Sequence, residues 1–272
     1  MTLLTDLAAW FDDVKAEFIL NFIDKNRWRM LLTGLGNTLL IALLACLIGI
    51  VLGVVVAVVR TAHDQQRLGH RNVVLGILNG VCKVYTTIIR GTPMMVQAMI
   101  IFFGVFSLFK MTDLTTTQIN AIWSTFTAGL VTIVLNSTAY MMEVLRGGIE
   151  SVDAGQMEAA RSLGLSQWEA MRKVVFPQGV KFAIPGLSNE LVINIKDSSV
   201  LSVIGTFDLM FATTTVGGIY YAKFEAALVT SVMYLCLTMF ASWLLGRLAS
   251  RLDVKSVKLG STSDQPINVE ER

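Results

Sequence analysis

Between Asn189 and Ser199 the chain sets Asn189, Glu190, Asn194, Lys196, Asp197, Ser198 and Ser199 among Leu, Val and Ile. Acids, a base, amides and hydroxyls so close together can hold a ligand or a neighbouring helix by ion pairs and hydrogen bonds. No Ser/His/Asp arrangement and no His-rich cluster accompanies them, so the expected chemistry is recognition, and the chain is not read as an enzyme. Lys196 and Asp197 are adjacent. On a helix they project about 100° apart and need separate partners. Arg90, before Gly91-Thr92-Pro93, and Glu143 are further charges at the edges of apolar stretches. Charged groups at membrane depth are costly and usually face a pathway or a partner.

The other reactive side chains read as ordinary. Cys46, Cys82 and Cys236 lie in apolar stretches without metal spacing. They are expected to be small buried hydrophobes. His63 and His70 share a polar loop and are expected to be solvated, since a metal would need further ligands.

The frame for these groups is apolar. Of 272 residues, 54% are hydrophobic and 15% charged, and the mean hydropathy is +0.62. Soluble domains are about a quarter charged. Residues 30–59, 91–109, 114–142 and 226–246 contain no Asp, Glu, Lys or Arg. A membrane-crossing helix needs roughly 20 mostly apolar residues. An all-α membrane protein is therefore expected, with about five transmembrane helices at 31–59, 91–109, 117–142, 182–211 and 225–245. The fourth is interrupted by Glu190, Lys196, Asp197 and Asp208. A soluble globule, a disordered chain and a disulfide-stapled domain are excluded. The same runs argue against a β-barrel, whose strands would alternate apolar and polar residues. The net charge of +2 gives no footprint for nucleic acid.

Residues 72–109 would form a helix of ~55 Å at ~1.5 Å per residue, too long for one span. Pro93 breaks it. This places 72–89 at the membrane edge and leaves 91–109 as the span; if both halves crossed, every later segment would invert. In residues 1–30, Leu7, Trp10, Phe11, Val14, Phe18 and Phe22 mark one helical face, lying on the membrane surface or on the neighbouring bundle. The acids among them do not suit a cleavable signal. Gly49 with Gly53, and Gly76 with Gly80, are small-residue pairs suited to helix packing.

Lys and Arg counts orient the spans. Loop 60–72, segment 143–181 and the tail hold 13, against Lys110 and Lys223 on the other side. The first group is assigned to the cytoplasm, with the N-terminus outside and 251–272 as a cytoplasmic polar tail. Lys25, Arg27 and Arg29, before the first span, run against this assignment.

Segment 151–178 parses as helix, glycine turn, helix. Asp153 with Gln156 suggests a capping box, and Ser166 with Glu169 forms one. Gly164 suits the left-handed position that closes the first helix, and Pro177 is expected to end the second. Met157, Ala160, Leu163, Leu165 and Trp168 give this knuckle an apolar side. It either packs back on its own spans or docks into a partner's groove.

Glu158-Ala159-Ala160, Gly164, Val174, Phe176 and Pro177 resemble the signature EAA loop of inner-membrane permease subunits of ATP-binding-cassette importers. Val174 and Phe176 stand where the loop usually has Ile and Leu. Arg90-Gly91-Thr92-Pro93 with Gln97, Tyr140 to Ile149, Pro177-Gln178 and Lys196-Asp197-Ser198-Ser199 are similar to the polar amino-acid (histidine/glutamine-type) branch. That branch usually has Thr and Leu where Ser198 and Val200 stand. The resemblance covers about 31–250 and implies a type-1 importer permease fold in a bacterial inner membrane.

It also implies a function and partners. The permease would form the pathway for a polar amino acid with a second permease subunit, identical or similar. It would receive solute from an extracytoplasmic solute-binding protein and would be driven by separate ATPase subunits. Glu158, Ala159, Ala160, Gly164 and Pro177 would couple to the ATPase. No G-x4-G-K-[ST] loop is present, so ATP would be bound by the partner and no cofactor is expected in this chain. Arg90, Glu143, Asn194, Lys196, Asp197, Ser198 and Ser199 are the pathway or gate candidates. Arg90 either snorkels to the interface or pairs with Glu143 or Asp197. The polar fourth span lines the pathway or a subunit seam. The alternative is an ion-coupled secondary amino-acid carrier, which would need no docking knuckle.

Overall fold

The amphipathic N-terminal pattern folds as α1 (Thr2–Phe18) in a computed structural model that describes residues 2–64, 72–219 and 223–251. A π-helical turn at Ile19–Asp24 follows. The chain then turns at Asn26, whose φ of 54° is tolerated best by Gly, Asn and Asp. Phe22 is buried, while Leu7, Trp10 and Phe11 stay exposed.

The first uncharged run lies inside α2 (Trp28–Asp64), 37 residues long, which outruns a bilayer core at ~1.5 Å per residue. Its buried face, Leu31, Gly34, Thr38, Ile41, Ala42, Ala45, Gly49, Gly53 and Ala57, is mostly small, so a neighbouring backbone comes close. A Cβ on Gly49 would lie 2.9 Å from Ser137 Oγ, and one on Gly53 3.2 Å from Met141 Cβ. That pair packs within the chain. Gly76 and Gly80 do not, because among the described residues a Cβ on either would meet nothing within 4 Å beyond its own helix backbone.

Asn72 caps α3 (Val73–Gly91), its side chain accepting from the Val74 and Leu75 amides. Thr92 and Pro93 separate α3 from α4 (Met94–Lys110). Gln97 Nε2 ties the break by donating to Ile89 O, Thr92 O and Thr92 Oγ1. α3 is long and apolar enough to cross a bilayer, whereas α4, at 17 residues, is a shorter apolar helix. Two polar ties of α3 to α2 fall near the end of α2, where Asn79 meets His63 and Thr86 meets Arg60, while Tyr85 donates to Leu135 O in the middle of α6.

The third expected span is divided. α5 (Thr116–Ile122) opens with a Thr115–Gln118 capping box, and Ser124 caps the start of α6 (Thr125–Glu150). α6 runs on past Met142, so Glu143 and Arg146, at the start of the polar segment 143–181, belong to this helix. α7 (Ala154–Ser162) and α8 (Gln167–Ala170) form the knuckle. α8 continues through a π turn at Met171–Val175 into α9 (Phe176–Asp197) and a 3₁₀ segment, Ser198–Ile204. Gly205, at φ 81°, ends this long helix. α10 (Leu209–Ile219) departs at 49°, and α11 (Lys223–Arg251) completes the described chain. The tail beyond Arg251, and His70, lie outside the described residues.

Two expectations fail for physical reasons. Pro177 does not end a helix. It stands in the first turn of α9, directly after the π turn, where local widening accommodates a residue without an N–H. The helix expected from 182 to 211 starts earlier and breaks after Ile204, and with α10 it makes one bent pair long and apolar enough to cross a bilayer. Asp208 lies past the break, with its Oδ1 accepting from Phe211 N at 2.8 Å, and so caps α10.

α2, α6 and α9 pack most closely and carry the core. Ile41, Ala45, Ile133 and Leu201 fill one cluster, and Leu31, Leu209, Ala212 and Val216 another. α6 and α9 cross at Gly148 and Gly179: a Cβ on Gly148 would lie 2.5 Å from Gly179 O.

Candidate functional site

The knuckle is built from local signals. Leu165 N donates to Ala160 O at 3.2 Å and Gly164 N to Arg161 O at 3.0 Å, the two bonds of a Schellman closure. Gly164 holds φ 87°, which a side chain would strain. The Ser166–Glu169 box is complete. The Ser166 backbone amide, with the Ser166 hydroxyl and Lys173, pulls the Glu169 carboxyl down to about 2, so the box is intact at neutral pH. The Asp153–Gln156 box is half made. Asp153 accepts from Gly155 N, but Gln156 Oε1 accepts from Gln178 Nε2.

The apolar side of the knuckle divides. Ala160 is buried, and Met157 packs with Ile149, Met171 and Val175. Leu163 is 85% and Trp168 59% exposed. Glu158 and Ala159 are also exposed. One half seats the knuckle on α6 and α9, and the other half is presented outward.

Beside the knuckle, three arginines converge on one carboxylate. Arg90 Nη1 and Arg60 Nη1 lie 3.2 and 3.4 Å from Glu143 Oε1, and Arg146 Nε lies 3.9 Å from Oε2. Arg146 also reaches Asp64 at 3.2 Å and Glu150 at 3.3 Å. The Arg90 guanidinium stands 5.4 Å from the Tyr140 ring centroid, a cation–π distance. Of the three roles open to Arg90, pairing with Glu143 is the one realised; Asp197 is not its partner. Arg60 and Asp64 were not marked by sequence. Their only signal was position at the end of the first apolar run.

Further along the bundle, Thr92, Pro93, Met94, Asn136, Tyr140, Glu190, Ile193 and Asp197 line a cleft of about 370 Å³. Asp197 reaches it; the other candidates of the fourth span do not. Asn194 is buried and donates to Ser137 Oγ at 3.0 Å. Ser198 is buried and donates to Ile195 O. Ser199 offers its carbonyl to Ser202, and Lys196 is exposed. Glu190 is the cleft residue that sequence reasoning noted but did not select. It stands seven residues, about two helical turns, before Asp197, on the same side of α9. The cysteines are free, and none is fully buried, because the helix faces that carry them are only partly covered. His63 is helical and contacts Asn79 and Asp64. No metal cluster occurs among the described residues.

Residues 49–254 match the family described as the binding-protein-dependent transport system inner membrane component. The chain belongs to that family. The permease is 37% identical over 178 residues to the glutamine transport system permease protein GlnP of Escherichia coli (strain K12), covering 65% of this chain and 77% of that one. Among solved structures, an amino acid ABC transporter crystallised with histidines superposes with a TM-score of 0.71 at 32% identity, over 85% of this chain and 98% of that chain. The MetNI methionine ABC transporter, in an inward-facing form, gives a TM-score of 0.67 at 14% identity, over 85% of this chain and 99% of that chain, a likeness of fold alone. The permease is thus a helical, multi-pass inner-membrane component of an ABC importer. It works with an ATPase and a binding protein and is not itself an enzyme. These likenesses do not favour the ion-coupled carrier.

Proposed function

We propose that this permease, paired with a second permease subunit, forms the pathway of an ATP-driven importer for a polar amino acid. The observation that carries the proposal is the long helix from Gln167 to Ile204. One end bears the exposed Trp168 beside the Leu163–Gly164 turn. The other bears Glu190 and Asp197 in the cleft. An ATPase gripping the exposed half of the knuckle would move α8, and with it the helix that carries the cleft carboxylates. The closed Schellman turn and the complete capping box keep the knuckle stiff enough to transmit that displacement.

The Glu143 cluster ties α2, α3 and α6 together at the knuckle end. In this reading it holds the permease shut on that side until the knuckle moves. The excess of Lys and Arg at this end supports a cytoplasmic placement, with the N-terminus outside and the C-terminus inside.

Reconstitution with the ATPase and binding protein tests the reading. Labelled amino acid should accumulate in proteoliposomes only with ATP, and vanadate should stop it. Accumulation driven by an ion gradient with the ATPase omitted would overturn the proposal.

A further inference from the structure

Of the described residues of α3, only Thr86 is buried within this chain. Apolar packing therefore does little to fix where the last turn of α3 stands, and discrete polar ties must do so. That turn carries Arg90, which meets Glu143 at 3.2 Å. A helix leaves its last carbonyls without main-chain donors, and Pro93, just past the end of α3, has no N–H to offer. Two side chains fill the gap. Thr92 Oγ1 donates to Ile88 O at 2.8 Å. Gln97 Nε2 donates to Ile89 O at 2.8 Å and to Thr92 O at 2.9 Å, with Thr92 Oγ1 also 2.8 Å away.

Both main-chain partners of Gln97 are acceptors, which fixes the orientation of its amide. Gln97 is buried, and its neighbour Ala98 packs in the core cluster with Ile41, Ala45 and Ile133. The amide thus ties the carbonyl just before Arg90 to a part of α4 that the core holds. Gln97 Oε1 is buried without a partner among the described residues. That cost offsets part of what Nε2 gains and leaves a tie that can release. We infer that Gln97 is a positioning residue for the gate: it clips the last turn of α3 to α4 so that Arg90 meets Glu143, and without the clip ATP is hydrolysed while less solute moves. The inference rests on the reading above in which the Glu143 cluster holds the permease shut.

The test is the amount of solute taken up per ATP hydrolysed, in proteoliposomes holding permease, ATPase and binding protein. The probe is an equimolar mixture of labelled polar amino acids, glutamine and histidine included. Gln97→Met keeps the length of the side chain and removes the amide. A variant that only folded poorly would lose uptake and hydrolysis together and leave their ratio unmoved. The ratio should instead fall about fivefold in Gln97→Met and in Glu143→Gln, the scale of one net hydrogen bond. The double variant should fall no further than Glu143→Gln alone, since both act through Arg90. If Gln97→Met does not assemble, Thr92→Val decides: Thr92 is exposed, and loss of its hydroxyl removes part of the same clip, so the ratio should fall there too. A wild-type ratio in the assembled clip variant, or a further fall in the double variant, would overturn the inference and leave the gate reading standing. A wild-type ratio in Glu143→Gln would overturn the gate reading, and the inference with it. No ATP-driven uptake by the wild type would overturn the importer reading itself.

Discussion

Arg90 Nη1 lies 3.2 Å from Glu143 Oε1, joining the last turn of α3 to the knuckle-proximal end of α6. Arg60 reaches the same oxygen from α2 at 3.4 Å, so one carboxylate fastens three helices. Glu143→Gln should leave three arginines without their shared partner. A loss of about 1–2 kcal/mol is expected for a cluster that is partly exposed, read as a lower melting temperature of the detergent-solubilised protein. Added salt should narrow the gap between variant and wild type.

Gly148 and Gly179 let α6 and α9 touch backbone to backbone. Gly148→Val should overpack that crossing, since even a Cβ would stand 2.5 Å from Gly179 O, costing about 1–3 kcal/mol. The neighbouring Gly147 has nothing within 4 Å, so Gly147→Ala should melt at or above the wild-type temperature. Equal melting of the two variants would remove the crossing from the account.

Asn194 donates to Ser137 Oγ in the core. Asn194→Leu strands that hydroxyl and should cost about 1–3 kcal/mol. The loss should be recovered in part by Ser137→Ala, the pattern of a coupled pair in a double-mutant cycle.

Gly164→Val should strain the left-handed turn by roughly 1–2 kcal/mol or more. ATP hydrolysis by the assembled complex should then proceed with little transport. Gly164→Asn, which tolerates that backbone region better, should retain more transport than valine. Normal uptake by the valine variant would separate the knuckle from coupling.

Much of this was legible along the chain. Runs free of charge gave the long helices, since a bilayer leaves few other options. Ser166, Glu169 and Gly164 announced the knuckle because capping is local chemistry. What stayed hidden was non-local. Nothing in sequence brings Arg60 to Glu143, 83 residues on. Pro177 looked like a stop, because a preceding π turn has no sequence signal of its own. Lys196 and Asp197 were adjacent and equally polar, yet one is exposed and the other lines the cleft, a difference that depends on how α9 is rotated against α4 and α6.

Coupling rests on the exposed half of the knuckle serving as the grip for a separate ATPase. Co-purification of the ATPase subunit with Trp168→Asp or Leu163→Asp permease tests this most directly. Both side chains are exposed, so both variants should melt like the wild type, and the retained ATPase should fall about tenfold or more, as for loss of an interface anchor. Wild-type retention of the ATPase by a folded double variant would contradict the account.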